Sequence, residues 1–179
     1  MKVIPMVNLK FLFIAALLSL SACSSVNDDI EVISEADPKV DFIGYETFAW
    51  MGSAVIAFDE QGQWEPPGFD ADKEVKFYID RELRAREMSE DSYNPDMLVT
   101  FVAGVDMDNI EEINHDDSNL AGLENVPKAA LVIVFFDAQT GQPIWYGAAE
   151  GEVQQNQTVM ESKQRLDYAV TEIMAKFPK

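Results

Sequence analysis

Few side chains in this 179-residue chain have the types and spacing that catalysis requires. Cys23 is its only cysteine and His115 its only histidine. One cysteine excludes an internal disulfide and a cysteine-based zinc site, and one histidine excludes the paired ligands of a zincin helix. The sequence contains neither a Gly-x-Ser-x-Gly elbow nor a Walker phosphate loop. These residue types argue against most hydrolase and nucleotide-dependent classes, and they suggest no cofactor.

Cys23 follows a segment with the composition of a secretory signal. Two lysines supply positive charge, and the run from Phe11 to Leu18 is apolar. This run fits the roughly 7–15 residues of a signal h-region and is shorter than the ~20 residues that a helix needs to cross a bilayer. We predict a signal segment over residues 1–22, with translation starting at Met1 or at Met6.

The segment Leu20-Ser21-Ala22-Cys23 resembles the lipobox of bacterial lipoproteins, in which a Leu and two small residues precede a Cys. This resemblance implies cleavage before Cys23, a diacylglyceryl thioether on its sulfur and an acylated amino terminus. One acyl chain holds a protein only marginally, so two or three chains are needed for a stable anchor. The alternatives are an ordinary signal peptide with an incidental cysteine, or a cysteine buried in a core helix.

The residue after the cysteine bears on location. In lipoprotein sorting, Asp at that position retains a protein in the inner membrane, whereas this chain has Ser24. The resemblance therefore implies the outer membrane, on its periplasmic face. Residues 23–29 form the lipidated tether, and at ~3.3 Å per residue it reaches ~20 Å beyond the cysteine. The domain is expected to lie close to the membrane.

The charge balance limits the partners. The chain has 13 Lys and Arg against 32 Asp and Glu, a net charge of −19. A surface of this sign repels phosphate backbones, so we predict no nucleic-acid partner. With so many acids, neighbouring carboxylates are inevitable and do not by themselves identify a glycosidase. An envelope hydrolase acting on peptidoglycan or glycans through carboxylates remains the alternative to a binding role.

An acidic segment is a candidate cation site. Its possible ligands are Asp106, Asp108, Glu111 and Glu112, and Ca²⁺ prefers such oxygen donors. The EF-hand spacing fails, because Glu111 stands where the turn glycine belongs. Dense carboxylates also commonly keep a loop solvated. A weak metal site and a solvated loop are therefore both open interpretations.

A second candidate site lies between residues 58 and 69, where aromatic side chains combine with proline and glycine. Such a loop on a rigid scaffold can form a recognition surface, and Trp64 and Phe69 are its candidate binding residues. The alternative is that either ring covers a sheet edge, since large aromatic side chains are mostly buried. We interpret Trp50 and Trp145 as core residues rather than a sugar platform.

The elements that must position these residues form one α+β domain over residues 30–179. Alternating or continuous apolar patterns predict strands at residues 30–33, 45–50, 97–105, 130–136 and 143–153. Apolar residues at helical spacing predict helices over about 73–88 and 159–177. Residues 51–69 and 106–128 are expected to be loops. The order predicts a single antiparallel-rich sheet of about four to five strands, with two helices packed on one face.

Two glycines in the last predicted strand, Gly147 and Gly151, share a face with Trp145 and Ala149. A glycine inside a strand often marks a close approach of backbone or side chains. We interpret both as packing positions rather than as parts of a nucleotide site.

Several segments of the chain match a known pattern in order and spacing. They are DF at 41–42, YETFAW at 45–50, NPDMLV at 94–99, DAQTGQPIWYG at 137–147 and AKFP at 175–178. With these segments the chain resembles the bacterial envelope lipoproteins grouped as domain of unknown function 4136, from about residue 30 to its end. It departs from them at Tyr146, where members often carry Arg. The family's activity is unknown, so the resemblance implies no catalytic residues.

Together these features predict a non-enzymatic, outer-membrane-anchored lipoprotein that serves as a binding or accessory module of the cell envelope. Its expected partners are the membrane, through the lipid on Cys23, and an envelope protein or cell-wall component. A purely structural envelope protein would carry the same sequence features.

Overall fold

The computed structural model describes residues 27–114, 121–154 and 156–178, and it describes side chains outside 110–124. The strands are β1 Glu31–Ala36, β2 Thr47–Phe58, β3 Ser89–Glu90, β4 Met97–Asp106, β5 Ile110–Asn114, β6 Ala121–Asn125, β7 Lys128–Asp137 and β8 Pro143–Glu152. The helices are α1 Ala71–Ala85 and α2 Val159–Ala175. The predicted signal segment, the lipidation site Cys23 and His115 lie outside the described residues.

The main sheet has six strands in the order β1-β8-β7-β4-β2-β3. The prediction of an antiparallel-rich sheet of about four to five strands was therefore wrong in strand number, and the sheet is mixed rather than antiparallel. Strand β2 runs parallel to both β3 and β4, whereas the β4–β7, β7–β8 and β8–β1 pairs are antiparallel. The parallel pairing arises because α1 carries the chain from the end of β2 back to the start of β4.

Both helices pack on the same face of this sheet, so the two-helix α+β architecture is confirmed. Burial alternates along β4 and β7, and the buried residues join those of the helices in one cluster. Val75, Ile79 and Leu83 contribute from α1, and Val170 and Ile173 from α2. Within the described residues, no helix is long and apolar enough to span a membrane.

Strand β2 is longer than the sequence suggested. Residues 51–58 belonged to the loop expected at 51–69, because glycines and prolines recur from Gly52 to Gly68, but the strand continues to Phe58. Gly52 lies at a register shift against β4, between Trp50 and Gly52. A glycine at a bulge lets a strand continue with one extra residue.

The expected polar loop at 106–128 is also partly a strand pair. Strands β5 and β6 pair antiparallel as a separate two-stranded sheet, with Ile110 opposite Asn125. The sequence did not predict these strands because their few apolar residues do not alternate regularly with polar ones, as IEEIN and AGLEN show.

The core confirms the interpretation of the tryptophans and of Gly147. Trp145 is buried and its ring centroid lies 4.8 Å from that of Phe135 and 5.2 Å from that of Phe177. Trp50 is half-buried and packs against the same core. A Cβ atom on Gly147 would stand 2.6 Å from Ile173 Cγ2 and 2.8 Å from Trp145 Cη2. Only glycine lets α2 and the indole approach the strand this closely.

Candidate functional site

A groove of about 880 Å³ opens between the sheet, the first turns of α2 and the loop that follows β2. The sheet contributes small residues, among them Ala129, Ala149 and Gly151. The loop contributes Trp64 and Phe69, and α2 contributes Leu166, among others. Polar side chains, among them Gln63, Gln157 and Arg165, also line it. The groove therefore combines an apolar floor of small side chains with a polar border, a mixture that ligand pockets commonly show.

The loop is held in place by its own first residue. The Asp59 carboxylate accepts hydrogen bonds from the backbone N–H of Gln63 at 2.9 Å and of Trp64 at 2.7 Å. These backbone donors hold the pKa of Asp59 below its usual value. Asp108 also accepts from the backbone N–H of Glu60 at 3.2 Å. The carboxylates thus fix the backbone that carries Trp64.

The structure brings both candidate binding residues to this groove. Trp64 and Phe69 are half-buried and line it together. The Lys163 ammonium of α2 lies 5.1 Å from the Phe69 ring centroid, within cation–π distance. Each ring is therefore partly packed and partly exposed toward the groove, between the two alternatives that the sequence left open.

One end of the groove is closed by an ion pair. Arg165 Nη1 donates to Asp29 Oδ1 at 2.8 Å, and Nη2 donates to Asp29 Oδ2 and to the Glu152 carbonyl. A Cβ on Gly151 would lie 2.7 Å from Arg165 Nη2. Gly151 is therefore also a packing position, which confirms its interpretation and explains why glycine stands there.

The candidate cation ligands are only partly brought together. Asp106 Oδ1 accepts from the backbone N–H of Asp108 at 3.0 Å, so the first two form a local turn. Glu111 and Glu112 lie on β5, and their side chains lie outside the described residues. Among the side chains that are described, no three His, Cys, Asp or Glu residues converge on a common point.

Three glutamates border the groove, Glu65, Glu150 and Glu152. On β8 the buried Ala149 and Gly151 face the groove. Because side chains alternate along a strand, the exposed Glu150 and Glu152 project to the opposite face of the sheet. Only Glu65 then offers a carboxylate to the groove from this set, whereas glycoside hydrolysis uses a facing pair.

Other carboxylates have structural partners. Several described carboxyl groups have a pKa below the usual range because they accept hydrogen bonds: Asp29, Asp59, Asp72, Glu74, Asp96, Asp137 and Glu161. A general acid at neutral pH needs the opposite shift. These groups are ionised acceptors that fasten loops and helix ends.

Sequence reasoning missed the α2 wall of the groove and the pairing of Arg165 with Asp29. The two residues are 136 positions apart, and nothing local in the sequence links them. The small residues of β8 were the one visible signal. Alternating glycine and alanine on one face of β8 indicated that another element approaches this face closely, but not which element it is.

The family model for a domain of unknown function, DUF4136, matches residues 32–179. No curated protein sequence matches the chain. Among solved structures, a DUF4136 family protein from Bacteroides thetaiotaomicron is similar at 9% identity, with a TM-score of 0.51, over 81% of this chain and 96% of that one.

Two further structures are similar. A PDZ domain protein from Parabacteroides distasonis has 12% identity and a TM-score of 0.52, over 93% of this chain but only 40% of that one. A minor lipoprotein from Acinetobacter baumannii has 12% identity and a TM-score of 0.36, over 74% and 91%. At these identities the first two similarities concern the fold alone, and the third is too distant to carry an argument.

Proposed function

The chain belongs to the DUF4136 family of domains of unknown function, and from this premise we propose that it is an outer-membrane-anchored periplasmic lipoprotein. We further propose that it is a non-enzymatic binding module of the cell envelope. The observation that carries the binding role is the groove beneath Trp64 and Phe69. Ser24 after the cysteine favours the outer membrane, and Leu20 to Cys23 supply the lipobox.

The position of the first described residues supports this arrangement. Asn27 comes four positions after Cys23, so the chain between them spans at most ~13 Å. Ile30 lines the groove, and Asp29 is held by Arg165 at its end. An anchor on Cys23 would therefore hold this end of the groove close to the bilayer surface, where envelope partners are within reach.

The lining indicates the chemistry of the ligand. Small apolar residues and aromatic rings favour an apolar segment, such as aliphatic side chains of a partner or a hydrophobic portion of an envelope component. The chain's net charge of −19 opposes an anionic ligand. We therefore propose a neutral or cationic partner that inserts an apolar group between the Trp64 loop and α2.

The anchor is tested with Cys23→Ser in cells grown with labelled palmitate. The proposal expects the wild-type chain to take up label and to sediment with outer membranes, and the variant to lose both. Unchanged labelling and fractionation in Cys23→Ser would overturn the membrane anchor and leave the groove untouched.

The groove is tested by in-cell photo-cross-linking from Gln157, which lines it. We expect Trp64→Ala to abolish the cross-linked product while the melting temperature changes little, because Trp64 is only half-buried. Tyr93→Ala is the matched control, since that ring is 99% exposed and outside the groove. An undiminished product in Trp64→Ala contradicts the proposed site.

A further inference from the structure

Strand β2 has one paired edge and one edge that is mostly open. It pairs with β4 from Phe48 to Phe58. On its other side β3 pairs only with Thr47 and Phe48. In the described part of the chain, no strand pairs with this edge beyond Phe48. An open strand edge presents unpaired N–H and C=O groups, which are a template for another strand.

The hydrogen bonds show which backbone groups face outward. The Phe58 carbonyl accepts from the backbone N–H of Met107 at 2.8 Å, on the β4 side. Backbone groups alternate in direction along a strand. The N–H and C=O of Ser53, Val55 and Ala57 therefore point to the open edge. Three residues in register offer six hydrogen-bonding groups to an incoming strand.

The side chains along this edge lack the usual protection against pairing. Met51 is 62% exposed, Val55 55% and Phe58 64%, and β2 contains no charged residue and no proline. Charged residues make up 25% of the whole chain. The opposite edge strand, β1, carries Glu31 and Glu35, as natural edge strands commonly do. The open part of β2 is the exception in an otherwise acidic molecule.

We propose that this edge pairs antiparallel with β2 of a second copy of the chain, so that the two six-stranded sheets become continuous. The backbone groups require an extended strand as partner. Strand β2 itself contributes no counter-charge, which disfavours a basic or acidic peptide as partner. A neutral apolar strand meets both requirements, and β2 itself is one. Like charges never oppose each other within the paired segment.

The size of the contact sets its strength. Nine residues from Trp50 to Phe58 extend ~30 Å, and a sheet is ~10 Å thick, so each copy contributes ~300 Å² of edge. Stable interfaces bury ~800 Å² per partner. The pairing is therefore weak between free molecules and becomes substantial where copies are held together on one membrane. The net charge of −19 opposes it, so higher ionic strength strengthens it.

Cysteine scanning of full-length protein in cell membranes tests the pairing. Single cysteines replace each residue from Ser53 to Ala57, and oxidation is followed by non-reducing electrophoresis. Opposed residues in an antiparallel pair have Cα atoms ~4.5–5.5 Å apart, within the range that a disulfide bridges. Only residues at the two-fold axis oppose their own copy. We therefore expect one position, or two neighbours, to give a disulfide-linked dimer.

Two controls make the result decisive. Ser34→Cys places an exposed cysteine on the opposite edge strand, and the unsubstituted chain reports on Cys23 alone. Val55→Lys, or Ala57→Lys where residue 55 carries the cysteine, should abolish the dimer when added to the best cross-linking variant, whereas Phe77→Lys, at a 61% exposed helix position, should not. Equal yields at every position, or none above the controls, overturn the proposal. They would favour random collision or a different strand as occupant.

Discussion

Arg165 on α2 holds Asp29, six residues after the only cysteine, through two hydrogen bonds from its guanidinium. The same carboxylate accepts from the backbone N–H of Glu152 on β8 at 2.7 Å. The Arg165 side chain is 13% exposed and that of Asp29 22%. The first residues of the domain are therefore attached both to helix α2 and to strand β8.

Asp29→Asn should destabilise the domain by about 1.5–3 kcal/mol, the usual range for a hydrogen bond to a charged group. The substitution removes the carboxylate that both Arg165 Nη1 and Nη2 contact in a largely enclosed position. Urea unfolding at pH 7 measures the loss. Asp28→Asn is the matched control, because that neighbouring side chain is exposed, and it should change stability little. Equal effects of the two substitutions would contradict the role of the ion pair.

The same pair predicts a pH dependence. The hydrogen bonds from Arg165 hold the pKa of Asp29 below its ordinary value of 3.8. A lowered folded pKa stabilises the protein above the unfolded value, and this contribution disappears as the pH falls through the folded pKa. The stability difference between wild type and Asp29→Asn should be constant from pH 8 to 5 and shrink below about pH 4. A constant difference down to pH 3 would contradict the lowered pKa.

Gly147→Ala should destabilise the fold by about 1–3 kcal/mol, because the added methyl group overlaps Ile173 and Trp145 at less than 3 Å. Gly104→Ala is the matched control within the same sheet. Its nearest neighbour would be the Ile56 carbonyl oxygen at 3.8 Å, an ordinary contact. Thermal melts of both variants check the difference. A neutral Gly147→Ala would show that α2 can shift without cost.

Arg86 connects the carboxyl-terminal ends of the two helices. Its guanidinium donates to the Glu82 carbonyl at 2.9 Å and to the Met174 carbonyl at 2.5 Å. Arg86→Ala should lower stability by about 1.5–3 kcal/mol, since helix-end carbonyls lose charged donors. Arg84→Ala, at a 56% exposed side chain paired with Asp80, should change stability much less, because solvent screens an exposed ion pair. Chemical denaturation of both variants tests the contrast, and similar losses would refute it.

Tyr45 predicts an alkaline transition. Burial, with a hydrogen bond of 2.8 Å to Asp137, raises the pKa of Tyr45 to about 12 from 10.0. A raised folded pKa stabilises the protein below the unfolded value, and the contribution is lost as the pH rises from 10 toward 12. The stability advantage of wild type over Tyr45→Phe should be constant from pH 7 to 9 and decline above pH 10.

Urea unfolding between pH 7 and 11 measures this advantage, and the difference in phenolate absorbance between wild type and Tyr45→Phe across the same titration reports the pKa of Tyr45. Tyr93→Phe, which changes a 99% exposed ring, controls for the loss of a hydroxyl and should leave stability at pH 8 unchanged. An advantage that persists unchanged to pH 11 would contradict the assignment.

Local patterns predicted both helices and the central strands well, because burial of one face imposes a fixed period on apolar residues. Leu166, Val170 and Ile173 follow the helical period on α2, and Val99 and Phe101 alternate on β4. The apolar patterns did not predict the strand beyond Gly52, because a glycine at a bulge and a glycine in a loop look alike in the sequence. They also failed in β5 and β6, whose acidic residues do not show the apolar alternation of a buried strand.

The candidate site was predictable only in part. Composition identified Trp64 and Phe69 as a possible recognition loop, since binding residues are often carried by loops on a rigid scaffold. The partners that make the loop one wall of a groove come from β4, β7, β8 and α2. Contacts between residues this distant along the chain produce no periodic pattern in the sequence.

The sequence alone predicted the lipobox at Cys23. It also determined the acidic character, the α+β class and the family, because each of these depends on residue identity or short-range order. The tertiary structure alone decided that β2 runs parallel to β4, that Arg165 meets Asp29 and that one edge of β2 stays open. Strand order and direction depend on how the chain crosses between layers. That choice is set by the sum of many long-range contacts rather than by any one segment.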